Sequence, residues 1–351
     1  MAGQFGDRTG MTVTQQDVAA RAGVARKTVS NVINGYPHVS QDLRQRVMRA
    51  IDELDYRPNH AAQSLASGRS RMLALAVPEL DVSYFAELAR LVVEAAEREG
   101  RTVMIMQTLG DRDRELAAVN GAYTQFIEGL IYSPVALDRD DLAGRRDRTP
   151  MVLLGERAGD GLIDHVGIDN VAAARLATEH LIGLGRRCIA FIGSQEHSSQ
   201  IAHLRTAGYR SALQSAGLAA DPALIVPTRG YHRKDGMLAM QELLDQRGQR
   251  PDAIFCATDL LAQGAIRVLL DRDLQVPGDV AVTGFDDIDE GRYATPSLTT
   301  IAPDKRQIAE TAVSRLIGHS RKQLDAPRDT VTRFTLVERE STLGRNTSSG
   351  R

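Results

Sequence analysis

The sequence predicts an all-α amino-terminal head followed by an α/β body of two lobes, each built on a parallel, doubly wound sheet. Three observations predict it. The stretch from Val13 to Asn34 reads as two short amphipathic helices joined at a glycine. From Met72 onward, short apolar runs alternate with helix-length amphipathic stretches, the pattern of parallel strands covered by helices on both faces. That alternation runs through two similar rounds, which implies two lobes.

Residues 1–11 carry three glycines and read as a loose tail. The head spans 12–58. Thr14 can cap its first helix with Asp17 as the capping-box partner, and Val18, Ala19 and Ala22 give a small apolar side. Gly23 stands where the turn wants a positive φ. The second helix runs from about Ala25 to Asn34. At ~100° per residue, Arg26, Lys27, Ser30 and Asn31 share one arc, and Thr28, Val29 and Val32 share the opposite one. One side packs, while the other offers cations and hydrogen-bonding groups near the helix start. This is the layout of a helix-turn-helix whose second helix enters a DNA major groove. After the turn Gly35-Tyr36-Pro37-His38, Ser40 can cap a third helix whose stripe is Leu43, Val47, Ala50, Ile51 and Leu54. Tyr56-Arg57-Pro58-Asn59 ends it. Residues 59–71 hold a helical but short segment, His60 to Gly68, followed by a linker.

In the body, 72–343, the expected strands are Leu73–Val77, Thr102–Met106, Gly129–Tyr132 and Met151–Leu154, then Cys188–Ile192, Ala223–Val226, Ala253–Cys256 and Val280–Thr283. The helices between them include Tyr84–Glu99, Arg112–Phe126, Ala172–Leu184, His203–Ser215, Lys234–Arg247 and Leu260–Leu270. The run Val166-Gly167-Ile168-Asp169-Asn170 falls between the two rounds and includes a crossing, with Asp169 or Asn170 capping the next helix.

Bulk properties narrow the function. Hydrophobic residues at 42% and charged residues at 25% describe an ordinary globular chain. No apolar run approaches the ~18 residues of a membrane span, and no secretory leader precedes Thr12, so a cytoplasmic location is expected. Cys188 and Cys256 are far apart in apolar runs and read as buried thiols. Up to Arg71 there are ten Lys/Arg against six Asp/Glu; the whole chain is −2, which leaves about −6 beyond that point. A basic head on an acidic body suits a nucleic-acid reader attached to something else.

The pattern Thr14-x-x-Asp17-Val18-Ala19-x-x-Ala22-Gly23-Val24-x-x-x-Thr28-Val29-Ser30-x-Val32-x-Asn34 resembles the opening of the LacI/GalR family of bacterial transcriptional repressors. Matching segments continue to about Leu343. The resemblance implies a homodimer, or a dimer of dimers, on pseudo-palindromic double-stranded operator DNA. Arg26 and Lys27 would then read base edges, and Ser30 and Asn31 would add base or phosphate contacts. Thr14, Asn34, His38, Tyr56 and Asn59 would position the backbone. His60 to Gly68 matches the family's hinge helix, and Leu65 its minor-groove wedge. Ala25 departs from the family, which usually has a hydroxyl residue at that helix start; a cap is lost there.

The body resembles the family's effector domain, of the periplasmic-binding-protein type, in which the chain crosses between lobes three times. The last crossings are expected near Thr299 to Pro303 and near Arg333. Lobe 1 would hold about 72–168 and 302–332, lobe 2 about 169–300 and 333–343, with a tail at 344–351. Leu336 to Thr342 matches the closing strand. Ligands of open α/β sheets bind off the carboxyl ends of the strands, here the interlobe cleft. Candidate effector contacts are Tyr84 and Phe85 as an aromatic wall, Arg205 as a donor fork, Tyr231 as a stacking ring, Asp286 as an acceptor for paired hydroxyls or ring N–H groups, and Thr258. The string Tyr84-Phe85-Ala86-Glu87 is similar to the purine-binding branch, whereas Thr258-Asp259-Leu260 departs from the usual pattern and argues against a lactose-type pocket. The implied effector is a sugar, a sugar phosphate or a nucleoside or purine; induction and co-repression both stay open. No catalytic motif and no metal-ligand set stands out, and no cofactor is implied. The rival reading is a stand-alone solute-binding protein, which would lack the pattern of the first 70 residues.

Overall fold

The computed structural model describes residues 13–33, 36–57, 70–121, 126–155, 161–195, 200–320 and 328–345. They fall into two units that divide between Ser70 and Arg71. In the first, α1 (Gln15–Ala22), α2 (Arg26–Ile33) and α3 (Gln41–Glu53) enclose a core of Val18, Ala19, Val29, Val32, Val47 and Ala50. Thr14 and Asp17 form the expected capping box: the Asp17 carboxylate accepts from the Thr14 N–H at 2.8 Å and from its hydroxyl at 2.7 Å. The Thr14 hydroxyl bond in particular holds that carboxyl below the ordinary range. Gly23 closes α1 at φ +62, and Arg46 of α3 donates to the Ala22 carbonyl at 2.8 Å, tying the turn to the third helix.

The second unit opens with β1 (Met72–Val77), α4 (Ser83–Arg98), β2 (Thr102–Gln107), α5 (Arg112–Val119), β3 (Gly129–Tyr132), α6 (Arg139–Ala143), β4 (Met151–Leu154) and β5 (Asp164–Gly167). The second round is α7 (Asn170–Gly183), β6 (Ile189–Ser194), α8 (Gln200–Ser215), β7 (Ile225–Pro227), α9 (Arg233–Gln241), β8 (Ala253–Cys256), α10 (Asp259–Leu270), β9 (Ala281–Phe285), α11 (Asp289–Arg292) and β10 (Thr299–Pro303). The chain then gives α12 (Lys305–Ser320) and β11 (Asp329–Val331) to the first sheet, and β12 (Phe334–Val337) and α13 (Glu340–Leu343) to the second lobe. Strand orders are β11-β5-β4-β3-β1-β2 and β12-β10-β9-β8-β6-β7. Each sheet therefore winds outward in both directions from one switch point, between β1 and β3 in the first and between β6 and β8 in the second. The central strands are continuous apolar runs because helices cover both faces; Phe191, Phe255 and Ile254 are fully buried.

Several details differ from the sequence expectations. The helix expected to reach Phe126 ends at Val119, where Asn120 and Gly121, at φ +102, break it. The strand expected from Ala223 begins at Ile225, since Asp221 caps a 3-10 turn over Pro222–Leu224. Lys234–Arg247 is an α-helix only to Gln241 and continues as a π turn over Glu242–Gln246. The closing strand is Phe334–Val337, and Glu340–Leu343 turns helical instead. It runs antiparallel to β10, because the chain returns from the first sheet without a covering crossover helix. Thr299–Pro303, near which a crossing is expected, lies wholly in the second sheet, and the chain passes over directly after Pro303. Cys256 is buried, while Cys188 is partly exposed just before β6.

Close helix packing in the second lobe depends on two glycines. A Cβ at Gly264 would lie 2.0 Å from the Arg233 carbonyl, and one at Gly236 2.2 Å from the Leu261 carbonyl, so α9 and α10 meet backbone to backbone. Gly264→Ala is expected to destabilise the body by about 1–3 kcal/mol, as overpacking does. Its thermal midpoint should fall by several degrees at roughly 2–4 °C per kcal/mol. An unchanged midpoint in calorimetry would mean that the two helices do not approach this closely.

Candidate DNA-reading face and ligand cleft

In the head, the packed side of α2 is Val29 and Val32, both buried, and the opposite side presents Arg26 and Lys27 exposed with Ser30 and Asn31 half-buried. The Ala25 carbonyl accepts from the Thr28 amide at 2.8 Å, so the helix starts without a side-chain hydroxyl in that position. His38 is exposed, its ring edge-on to Tyr36 at 5.6 Å. Tyr56 is 7% exposed and packs into the head's core, because the break after α3 folds its ring inward against the three helices. Asn34, Asn59 and Leu65, and with Leu65 the whole of the expected hinge helix, lie outside the described residues.

In the body, a cavity of about 610 Å³ opens where the carboxyl ends of the two sheets face each other. From the first sheet come the segments after β1 (Pro78, Glu79, Val82) and after β3 (Ser133 to Val135); from the second come Gln195 after β6 and Thr258 after β8. These are the strand ends that flank the two switch points, where the topology leaves a crevice. The six candidate contacts Tyr84, Phe85, Arg205, Tyr231, Thr258 and Asp286 all line this cavity.

Arg205 projects from α8 and is 6% exposed. Its Nε donates to Asn170 Oδ1 at 3.0 Å, its Nη1 donates to the Ala257 carbonyl, and its guanidinium lies over the Phe285 ring, 3.4 Å from the centroid. Three partners fix the fork, and Nη2 points at Asp286, 4.0 Å from Oδ1. That separation is long for a hydrogen bond, so the Asp286 carboxylate keeps acceptor capacity for a third party. Burial pushes the Asp286 carboxyl up to about 6, against the pull of Arg205 and Lys305. Tyr84 and Phe85 meet edge to face at 5.3 Å on the first turn of α4. Thr258 doubles as the cap of α10, its hydroxyl accepting from the Leu261 amide at 3.3 Å.

Residues 14–59 match the model of bacterial regulatory proteins of the lacI family, and residues 178–342 match the periplasmic binding protein-like domain. The HTH-type transcriptional regulator RegA of Clostridium saccharobutylicum is 31% identical over 336 residues, covering 95% of this chain and 100% of RegA. The chain belongs to the LacI family of bacterial regulatory proteins. Solved LacI-family structures agree with the fold. The Lac repressor dimer bound to operator and the anti-inducer ONPF matches with TM-score 0.83 at 29% identity, covering 95% of this chain and 100% of that one. The complex of the regulator CelR with cellobiose matches with TM-score 0.70 at 33% identity, covering 94% and 99%. The protein is a ligand-responsive transcriptional regulator with a helix-turn-helix DNA-binding head, and its homologues are regulators rather than enzymes.

Two further residues bear on the cleft: Asn170 lines it, and Asp259 lies buried behind it. Of the two cap candidates, Asp169 caps α7 by accepting from the Ala172 amide at 2.9 Å, and Asn170 holds Arg205. Asp259, a weaker ligand candidate beside Thr258, is a fully buried carboxylate that accepts from the Ile288 amide at 2.9 Å and the Thr300 hydroxyl at 2.6 Å. Burial, then the neighbouring Asp286 charge, raises its carboxyl well above the ordinary range. Its place is behind the Asp286 loop. Thr300, three residues before Pro303 in β10, is the partner that the sheet register brings to it.

Proposed function

We propose that the protein is a cytoplasmic, homodimeric repressor whose heads bind the two halves of a pseudo-palindromic operator and whose cleft takes a neutral polyhydroxylated metabolite, a sugar or a nucleoside. The observation that carries the effector class is the Arg205–Asp286 pair on the cavity wall. A cation and an anion held side by side present a donor fork and an acceptor with no net charge, which suits vicinal hydroxyls better than a phosphate. Tyr84, Phe85 and Tyr231 supply flat apolar faces for a ring. The cavity volume is within the usual range for small-molecule sites. That CelR was captured with cellobiose supports a sugar.

The dimer reading is supported by β2, which ends the first sheet. Its Val103, Met104 and Met106 are only half-covered, and Ile105 is 41% exposed. An apolar strand edge of this kind seeks a partner, and a second copy of the chain would cover it. In the head, Arg26 and Lys27 would read base edges, with Ser30 and Asn31 beside them, while Thr14, Asn34, His38 and Asn59 position the backbone and Leu65 wedges the operator centre. Tyr56 joins these backbone-positioning residues while its ring packs in the head's core.

The deciding experiment pairs a thermal-shift panel of sugars, sugar phosphates, nucleosides and purines with operator selection from random duplex DNA. A ligand at a hundred times its dissociation constant adds about 2.7 kcal/mol of stability, a shift of several degrees. Neutral hydroxylated compounds should give it, and the selected DNA should carry an inverted repeat. Shifts confined to phosphorylated compounds would overturn the effector class; a selected site without two-fold symmetry would overturn the dimer.

A further inference from the structure

Behind the cavity wall sits a lysine that neither the capping pattern nor the ligand geometry uses. Lys305 is the first residue of α12, the helix that re-enters the first lobe and packs on α4. It is 7% exposed. Its ammonium donates to the main-chain carbonyls of Asp286 and Asp287, each at 2.9 Å. It pairs with Glu87 of α4 at 2.5 Å and lies 5.9 Å from the centre of the Tyr84 ring. One buried cation thus touches the ligand-facing loop of the second lobe and the ligand-facing helix of the first.

The loop it holds is under backbone strain. Asp286 stands at φ +114 and Asp287 at φ +47, in the region that side chains other than glycine's rarely adopt. Such a conformation persists only where its surroundings over-determine it. Two carbonyls converging on one ammonium do so, with the Asp286 amide bonded to the Ile301 carbonyl at 2.8 Å and the Ile288 amide to Asp259 at 2.9 Å. A lysine serving burial alone would be satisfied by Glu87. The additional carbonyl partners come from the other lobe, and they belong to the residue whose carboxylate faces the cavity.

We propose that Lys305 is the positioning residue that couples the two walls of the cleft: it sets the aim of Asp286 and passes any displacement of the Asp286–Asp287 loop to α4 through Glu87. α4 packs on β2, the edge assigned above to the second copy, so the tie leads from the ligand toward the dimer. The coupling rests on the cleft reading for its purpose and is independent of which ligand fills the cleft.

The test is hydrogen–deuterium exchange on the full-length protein without ligand, comparing wild type with Glu87→Gln, Lys305→Met and Lys305→Arg. Among the described contacts, Glu87 meets the loop through Lys305, while Ser83 of the same helix bonds to Glu290 beyond it. Glu87→Gln should speed exchange of amides 286–288 about tenfold, the loss expected from one weakened charge-assisted hydrogen bond. Lys305→Met should speed both 286–288 and the first turn of α4, and Lys305→Arg should restore much of the protection. Wild-type exchange at 286–288 in Glu87→Gln would overturn the coupling, and so would a Lys305→Met effect confined to one wall. Should Lys305→Met fail to fold, the Glu87→Gln comparison decides alone, since Glu87 is about one-third exposed and its loss leaves the core intact.

Discussion

Asp286→Asn is expected to abolish the response to effector while leaving ligand-free DNA binding at its wild-type level. The substitution keeps the shape of the side chain and removes its charge. Hydrogen bonds to a charged acceptor contribute about 1.5–3 kcal/mol each, so losing a pair of them to vicinal hydroxyls weakens binding roughly a hundredfold or more. The pH dependence gives a second reading of the same group. Its folded-state carboxyl is pushed up to about 6 by burial, above the ordinary value of 3.8. Below about pH 4 the group is protonated whether the chain is folded or not, and it contributes no pH slope. Between about 4 and 6 the unfolded chain releases the proton first, so wild-type stability falls as pH rises through that window, and above 6 the loss is complete at ~2–3 kcal/mol. Asp286→Asn lacks this slope. Its thermal midpoint should match wild type near pH 4 and exceed it at pH 7.5. Effector affinity follows the opposite course: it is flat above pH 6 and falls about tenfold per unit below, because a protonated carboxyl no longer accepts from both hydroxyls. Calorimetric titration at pH 5, 6 and 7.5 measures this. An Asn variant that still responds at wild-type ligand concentrations would remove Asp286 from the site.

How much of this was legible beforehand depended on whether a residue's partners lie close in sequence. The head was readable because its signals are local: Thr14 and Asp17 are three apart, Gly23 terminates its own helix, and the two arcs of α2 follow from helical period alone. Gly129–Tyr132, Met151–Leu154 and Ala253–Cys256 were readable because a strand covered on both faces must be apolar throughout. β5 was not, since it begins with Asp164 and His165. Both are buried, and Asp164 is satisfied by Arg315 and His319 of α12, far along the chain. No local rule allows a buried Asp-His pair to start a strand; only its distant partners do.

The cleft divides the same way. Arg205 and Asp286 were found because a family pattern marks them, yet the reasons they work are non-local. The fork of Arg205 is held by Asn170, Ala257 and Phe285, which belong to three separate segments. Lys305 carries no sequence signal, since it looks like any cation at the start of a surface helix. Its meaning appears only once the Asp286 and Asp287 carbonyls are seen to converge on it. Function here lies in groups that sequence separates and topology reunites, and a reading of the chain finds the contact residues before it finds what aims them.

Arg26→Ala should erase a base preference at one symmetric pair of operator positions. Arg26 is exposed at the first turn of α2, the end of a recognition helix that enters the major groove. Its guanidinium matches the O6 and N7 acceptors of guanine, a bidentate contact that contributes about 1–3 kcal/mol of discrimination, or roughly 5- to 150-fold. Asn31, half-buried, lies on the same arc about 7.5 Å further along the helix axis, and its amide matches adenine N6 and N7. Asn31→Ala should therefore relax a different pair of positions and leave the first intact. The alternative role for Arg26, a phosphate contact, has another signature: affinity falls evenly for every sequence, and the slope of log affinity against log salt drops by about one. Selection from random duplexes, repeated for each variant at two salt concentrations, separates the two. Loss of preference at one position with nonspecific affinity nearly unchanged assigns Arg26 to base reading. A uniform loss with a shallower salt slope moves it to the backbone and leaves Lys27 and Asn31 to carry the sequence readout of each half-site.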